Sequence, residues 1–248
     1  MEHIIHNFAQ GSLFACTEQL FKQLNIELHS SEDLPILPQD FFDKELYRPE
    51  NKVHQLIQQL YVAGMVGTEE DCLAVIAVEL APTATTRTQL STITRLINRQ
   101  AEGIPVAVLF RYGNYIALAN AERTQYKQTY RKEEKIGKVS ILKDIDTLKP
   151  HRGHLRILEK LQIDKSIKTF KELYAKWLGV FDTKILNEEF YKELFAWYEW
   201  AISETSGIKY PNDPKAIKEE RQLEKQIIRL ITRVLFVWFI KQKGLVPN

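Results

Sequence analysis

The stretch CLAVIAVEL, residues 72–80, is a nearly continuous apolar run carrying three β-branched side chains, Val75, Ile76 and Val78. Such a run fits a strand buried on both faces, because a half-solvated strand alternates apolar and polar residues. Just downstream, Thr85 or Thr86 is placed to cap a helix that carries Leu90, Ile93, Leu96 and Ile97 inward. IPVAVLF, residues 104–110, then reads as a second buried strand. Strand, helix and strand in that order predict a βαβ unit with parallel pairing. Tyr112-Gly113-Asn114-Tyr115 supplies a tight turn, so YIALAN, residues 115–120, returns antiparallel as a hairpin and makes the sheet mixed. VSIL, residues 139–142, is a further strand.

Outward from this centre the signals are helical. Ser12 is a good N-cap for a helix with Leu13, Leu20, Phe21 and Leu24 on one face. After a loop holding Pro35 and Pro38, residues Val53, Leu56, Ile57, Leu60 and Tyr61 follow helical spacing, and Gly64 is placed to stop that helix. From Pro150 onward every periodic segment is helical: Leu155, Ile157, Leu158 and Leu161; Phe170, Leu173, Tyr174 and Trp177; Phe190, Leu194, Trp197, Tyr198 and Ala201; and Leu223 through Trp238. The loop GIKYPNDP, residues 207–214, separates the last two. VLFVWFI, residues 234–240, is apolar all round, the mark of a helix surrounded by protein. Trp197, Trp200, Trp238 and Phe239 are therefore expected either to be buried or to leave an exposed patch where a further domain docks. The fold class is α+β: a mixed α/β domain over residues 1–150 with a βαβ unit and a hairpin, then a helical region over residues 151–248.

The 248 residues carry a net charge of only +2, but the charge is unevenly placed. Residues 1–80 hold four Lys/Arg against thirteen Asp/Glu, whereas residues 81–160 hold fifteen against seven. The middle third is thus the place to look for a polyanion partner. Cys16 and Cys72 sit in apolar surroundings at no metal or redox spacing, which points to a reducing, cytoplasmic compartment. The N-terminus MEHIIHNFAQ has no secretory pattern, and the seven-residue run 234–240 falls far short of the roughly 20 residues that span a bilayer, so no membrane partner is expected.

No phosphate loop of the GxxxxGK[ST] or GxGxxG type is present, and no small-molecule substrate or cofactor of this chain is evident. His151 and His154, three apart at a helix start, have the spacing of a metal pair but no third ligand nearby, and read as capping and surface histidines. Glu79 ends a central strand before a helix, where Mg²⁺-dependent nucleases keep a Glu-x-Lys pair. Here the third position is Ala81, and no preceding Asp has an obvious place; a structural glutamate paired to Arg87 is the competing reading. On the following helix Arg87, Thr94, Arg95, Asn98 and Arg99 form a polar set suited to phosphate contact, with simple solvation as the alternative. Residues 123–138, with Arg123, Tyr126, Lys127, Tyr130, Arg131, Lys132, Lys135 and Lys138, form a charged excursion that suits an arm along a nucleic-acid backbone or a solvated loop.

EEFYKELFAWYEWAISE and EKQIIRLITRVLFVWFIKQKGLVP resemble the helical region just upstream of the adenine-specific DNA methyltransferase domain in single-chain type II restriction-modification enzymes. LAVIAVEL, RTQLSTITRLINR, IPVAVLFRYGNYIALA, and KVSILKDI with KPHRGHLRIL are similar to the N-terminal part of those proteins, so the likeness covers most of residues 72–247. The resemblance implies DNA as partner and a methyltransferase domain, with its S-adenosylmethionine, downstream. It also implies a truncated form that does not itself methylate DNA. Three readings follow: a fragment serving DNA engagement (Arg87, Arg95, Asn98, Arg99, Lys127, Arg131, Lys132) and interdomain packing; a Mg²⁺-dependent endonuclease centred on Glu79; and a non-enzymatic interaction scaffold.

Overall fold

A computed structural model gives the fold, and it describes every residue except 69–70, 102–103, 126–133, 165–166, 168, 182, 204–221, 243–244 and 246–248. The expected loop at 207–214 lies outside the described residues. The chain divides into two compact units, Met1–Asp182 and Thr183–Asn248.

The first unit is built on a five-stranded mixed sheet in sequential order, β1 (Ile57–Gly67), β2 (Cys72–Leu80), β3 (Val106–Tyr112), β4 (Tyr115–Gln125) and β5 (Glu134–Asp146). β2 and β3 run parallel, joined by a helix over Arg87–Gln100, and every other pair is antiparallel. The βαβ unit and the hairpin thus fall where the apolar runs put them. Gly113, at φ +56, occupies the first position of the two-residue turn, a conformation that side chains with a Cβ adopt rarely.

Helices cover both faces of the sheet. On one side lie α1 (Glu2–Asn7), α2 (Leu13–Gln23), α5 (Arg152–Lys160) and α6 (Phe170–Val180), which close Phe8, Leu20, Phe21, Leu158, Leu161 and Trp177 over Val75, Ala77, Leu109 and Leu118. On the other, α4 (Arg87–Gln100) presses Leu90, Ile93, Leu96 and Ile97 onto Ile76, Val78, Val108 and Phe110. The short α3 (Pro38–Phe41) leads into a stack of Phe42, Tyr47 and His54 at the edge of that second layer. The His54 Nδ1 accepts from the Arg48 N–H at 3.0 Å, and burial lowers the imidazole's pKa. Ser12 caps α2, and Thr86 and Gln89 form a reciprocal capping box on α4.

The helix expected over Val53–Tyr61 is a strand. Only His54–Leu56 makes a 3₁₀ turn, and from Ile57 the chain enters β1. Two bulges, at Ile57/Gln59 and Val62/Gly64, break the alternation of that strand, so its apolar side chains fall three apart and imitate a helical stripe. Gly64 stops nothing. At φ +143 it sits where residues 28–29 cross β1, and a Cβ there would stand 2.9 Å from the His29 carbonyl oxygen and the Leu28 Cβ. That crossing segment covers the β1 edge through paired bonds between His29 and Met65 and between Ile36 and Leu60.

The helices after residue 150 do not all leave the sheet. α5 and α6 contribute Leu158, Leu161, Leu173 and Trp177 to the sheet's own core, so the division between the units falls after Asp182, not at the expected residue 150. The second unit contains α7 (Thr183–Ile202) and α8 (Gln222–Gln242), packed on each other. Its apolar run is not enclosed: Trp197, Trp200, Trp238 and Phe239 are 38, 48, 60 and 51% exposed. Among the described residues no helix is long and apolar enough to cross a membrane.

One buried polar group stands out in the first unit. Asn120 on β4, opposite Ala107 and Ser140, is 1% exposed, and neither polar atom of its amide meets a partner among the described residues. An unmet buried amide costs about 1–3 kcal/mol. Asn120→Leu, of similar volume, is expected to raise the urea midpoint by about 1 kcal/mol equivalent; a fall would show that the amide is satisfied.

Candidate functional site

Two lone charges stand at the carboxyl ends of the parallel strands β2 and β3, the position where open α/β sheets commonly keep their sites. Glu79 and Arg111 are register partners there and share the sheet face under α1 and α2. The Arg111 Nε donates to both Glu79 oxygens at 3.0 and 2.8 Å, and its Nη2 lies 2.6 Å from Oε2. The remaining Nη1 donates to the carbonyls of Phe8 at 3.2 Å and Gly11 at 2.7 Å. One guanidinium therefore neutralises the buried carboxylate and fastens the corner between α1 and α2 over the strand ends. The two side chains are only 16 and 19% exposed. The charges reach their neighbours: burial raises the Cys16 thiol pKa, which Arg111 partly offsets, and burial together with the Glu79 charge raises that of the Tyr61 phenol.

Glu79 thus pairs with Arg111 and not with Arg87. Both carboxylate oxygens that a catalytic metal would need are engaged by the guanidinium, and among the described residues no group of three His, Cys, Asp or Glu is disposed around an ion. Arg111 was missed in the sequence. Its signal is a cation closing an otherwise apolar strand, one crossover away from an acid that closes another.

The arginines of α4 serve the far edge of the sheet. The Arg87 Nη2 donates to the Ile141 carbonyl at 2.7 Å, and the Arg95 Nη2 to the Gly137 carbonyl at 3.0 Å, both on β5, the terminal strand. Asn98 is buried and Arg99 exposed. Lys127, Arg131 and Lys132 lie outside the described residues, as do Tyr126 and Tyr130. On either side of them β4 and β5 pair from Ala121 opposite Val139 out to Gln125 opposite Glu134. Arg95 of α4 thus reaches the backbone of β5 close to the described end of the β4–β5 ladder.

A second polar cluster sits at the opposite end of β5. A bulge opposite Ala117 puts Asp144 at φ +59, and its carboxylate accepts from the Tyr112 hydroxyl at 3.1 Å and from the Lys143 Nζ at 2.6 and 2.7 Å. Tyr112 is 3% exposed, and burial pushes its phenol well above the ordinary range. Lys143 also lies over the Tyr112 ring, 5.9 Å from its centroid. His151, as expected, caps a helix: its Nδ1 accepts from the Gly153 N–H at 3.1 Å.

No protein-family model matches the chain, and neither a curated protein nor a solved structure was found to match it.

If Glu79 is structural, its loss is felt in stability. Glu79→Gln strands the mostly buried guanidinium and is expected to cost about 3 kcal/mol in urea unfolding. Arg111→Met should cost a similar amount, and the Glu79→Gln/Arg111→Met double variant clearly less than the sum of the single losses. Strict additivity would mean that the two side chains do not stabilise one another.

Proposed function

We propose that this chain engages DNA through a basic strip running from the exposed side of α4 onto the β4–β5 arm, as part of a restriction-modification enzyme whose methyltransferase domain is a separate, downstream element. The observation that carries this reading is the contact of Arg95 with Gly137, which joins the α4 arginines to the base of the cationic hairpin. Arg99, exposed one helical turn beyond Arg95, extends the strip. Guanidinium forks along such a line suit phosphate oxygens, which position a protein on a duplex without reading its sequence. Arg87 and Arg95 each donate to a β5 carbonyl, so both guanidinium groups are held in place by the fold. The exposed aromatic face of α7 and α8 supports the packing role in this reading, since contiguous apolar surface marks interaction sites.

The engagement of both Glu79 oxygens by Arg111 favours binding without cleavage. The test is fluorescence anisotropy on a duplex over a range of KCl concentrations. A linear fall of log affinity with log salt is expected, and Arg99→Ala, which leaves the β5 contacts intact, should shallow the slope by about 0.9. A salt-independent affinity, or no binding, would overturn the reading in favour of a scaffold. Nicking of supercoiled plasmid with Mg²⁺ or Mn²⁺, abolished by Glu79→Gln in a protein that remains folded, would restore the nuclease.

A further inference from the structure

We propose that the first turn of α5 is an acid-released clasp, closed while His151 and His154 are neutral and opened when they take up protons.

The geometry of the turn demands a neutral His151. Three amides lean on this residue: Gly153 donates to its Nδ1 at 3.1 Å, and His154 and Leu155 donate to its carbonyl at 2.9 and 3.2 Å. A protonated imidazole has an N–H at both nitrogens, so the Nδ1 acceptor disappears and a hydrogen points at the Gly153 N–H. His154 stands against His151, ring centroids 5.9 Å apart and edge to face, and its own Nδ1 is buried with no partner among the described residues. Both imidazoles lie in the first turn, where the helix dipole opposes positive charge.

The charged surroundings do not reverse this. On α5 itself Arg152 and Arg156 add positive charge. From β5, Asp144 faces His154, but its carboxylate already holds Lys143 and the Tyr112 hydroxyl. From α1, the His6 Nδ1 lies 2.8 Å from the Thr147 carbonyl and its Nε2 3.8 Å from a Glu2 carboxylate oxygen. Burial, then the His151 charge, lower the His154 pKa, with Asp144 opposing. The sign follows: a histidine whose folded pKa lies below its unfolded value stabilises fully above the unfolded value near 6.5, and the contribution drains away as pH falls through that value toward the folded one. What loosens is the seat of Leu155 and Leu158 on the sheet core.

Amide hydrogen exchange on the full chain, corrected for intrinsic rates, tests the clasp at about pH 7.5 and about pH 5.5. Losing an N-cap corresponds to about fivefold faster exchange, so the α5 amides should lose about that much protection at the lower pH while those of β2 and β3 hold theirs. In the His151→Asn/His154→Gln variant, whose asparagine still caps but does not titrate, the two pH values should agree within about twofold. An equal loss in that variant, or none in the natural chain, overturns the proposal. Should the variant not fold, α6 decides, because its cap is the Thr169 hydroxyl: loss confined to α5 supports the clasp, and loss shared with α6 refutes it.

Discussion

The guanidinium of Arg111 has to satisfy two demands at once, and the arrangement of the first unit depends on its doing so. Glu79 closes a strand that is otherwise wholly apolar, and a carboxylate there is tolerable only with a cation held against it. Parallel pairing of β2 with β3 delivers that cation in register, which a slip of one residue would turn to the opposite face. The donor left over then reaches the carbonyls where α1 ends and α2 begins. Strand register, charge neutralisation and the seating of the N-terminal helices are thus one constraint. The same arrangement occupies the crevice where a sheet of this kind would otherwise receive a ligand.

At the other edge of the sheet, arginine grips backbone carbonyls. Arg87 and Arg95 reach from α4 to carbonyls of β5, the strand with no neighbour beyond it among the described residues. A planar fork suits this better than a lysine, since one N–H can be committed to the carbonyl while the others stay in a fixed fan. The β1 edge is managed differently, by the backbone of residues 29–36. One edge is therefore sealed by chain and the other is gripped by arginines of α4.

The residues that were legible in the sequence are those whose environment is uniform. β2 and β3 announce themselves because both faces are buried, and α2 and α4 because Ser12 and Thr86 sit where a cap must. β1 was illegible because its bulges shift the period of its apolar residues, and at the second of them Gly64 meets residues 28–29, a contact between segments far apart in the chain. The site shows the same division. Glu79 is conspicuous as a lone acid, but its partner follows only from knowing which strand lies beside it. Arg87 and Arg95 were visible as a set, whereas their grip on Ile141 and Gly137 depends on where β5 ends up.

The four tryptophans are distributed so that each unit carries its own chromophore. Trp177 is wholly enclosed in the first unit, its indole N–H bonded to the Leu161 carbonyl and its ring against Phe21. Trp197, Trp200 and Trp238, in the second, face solvent. Intrinsic emission is accordingly a sum of a blue, shielded component and a redder one open to aqueous quenchers. The natural protein thereby reports the melting of the sheet unit and any covering of the α7–α8 surface as separate optical events, with no label attached.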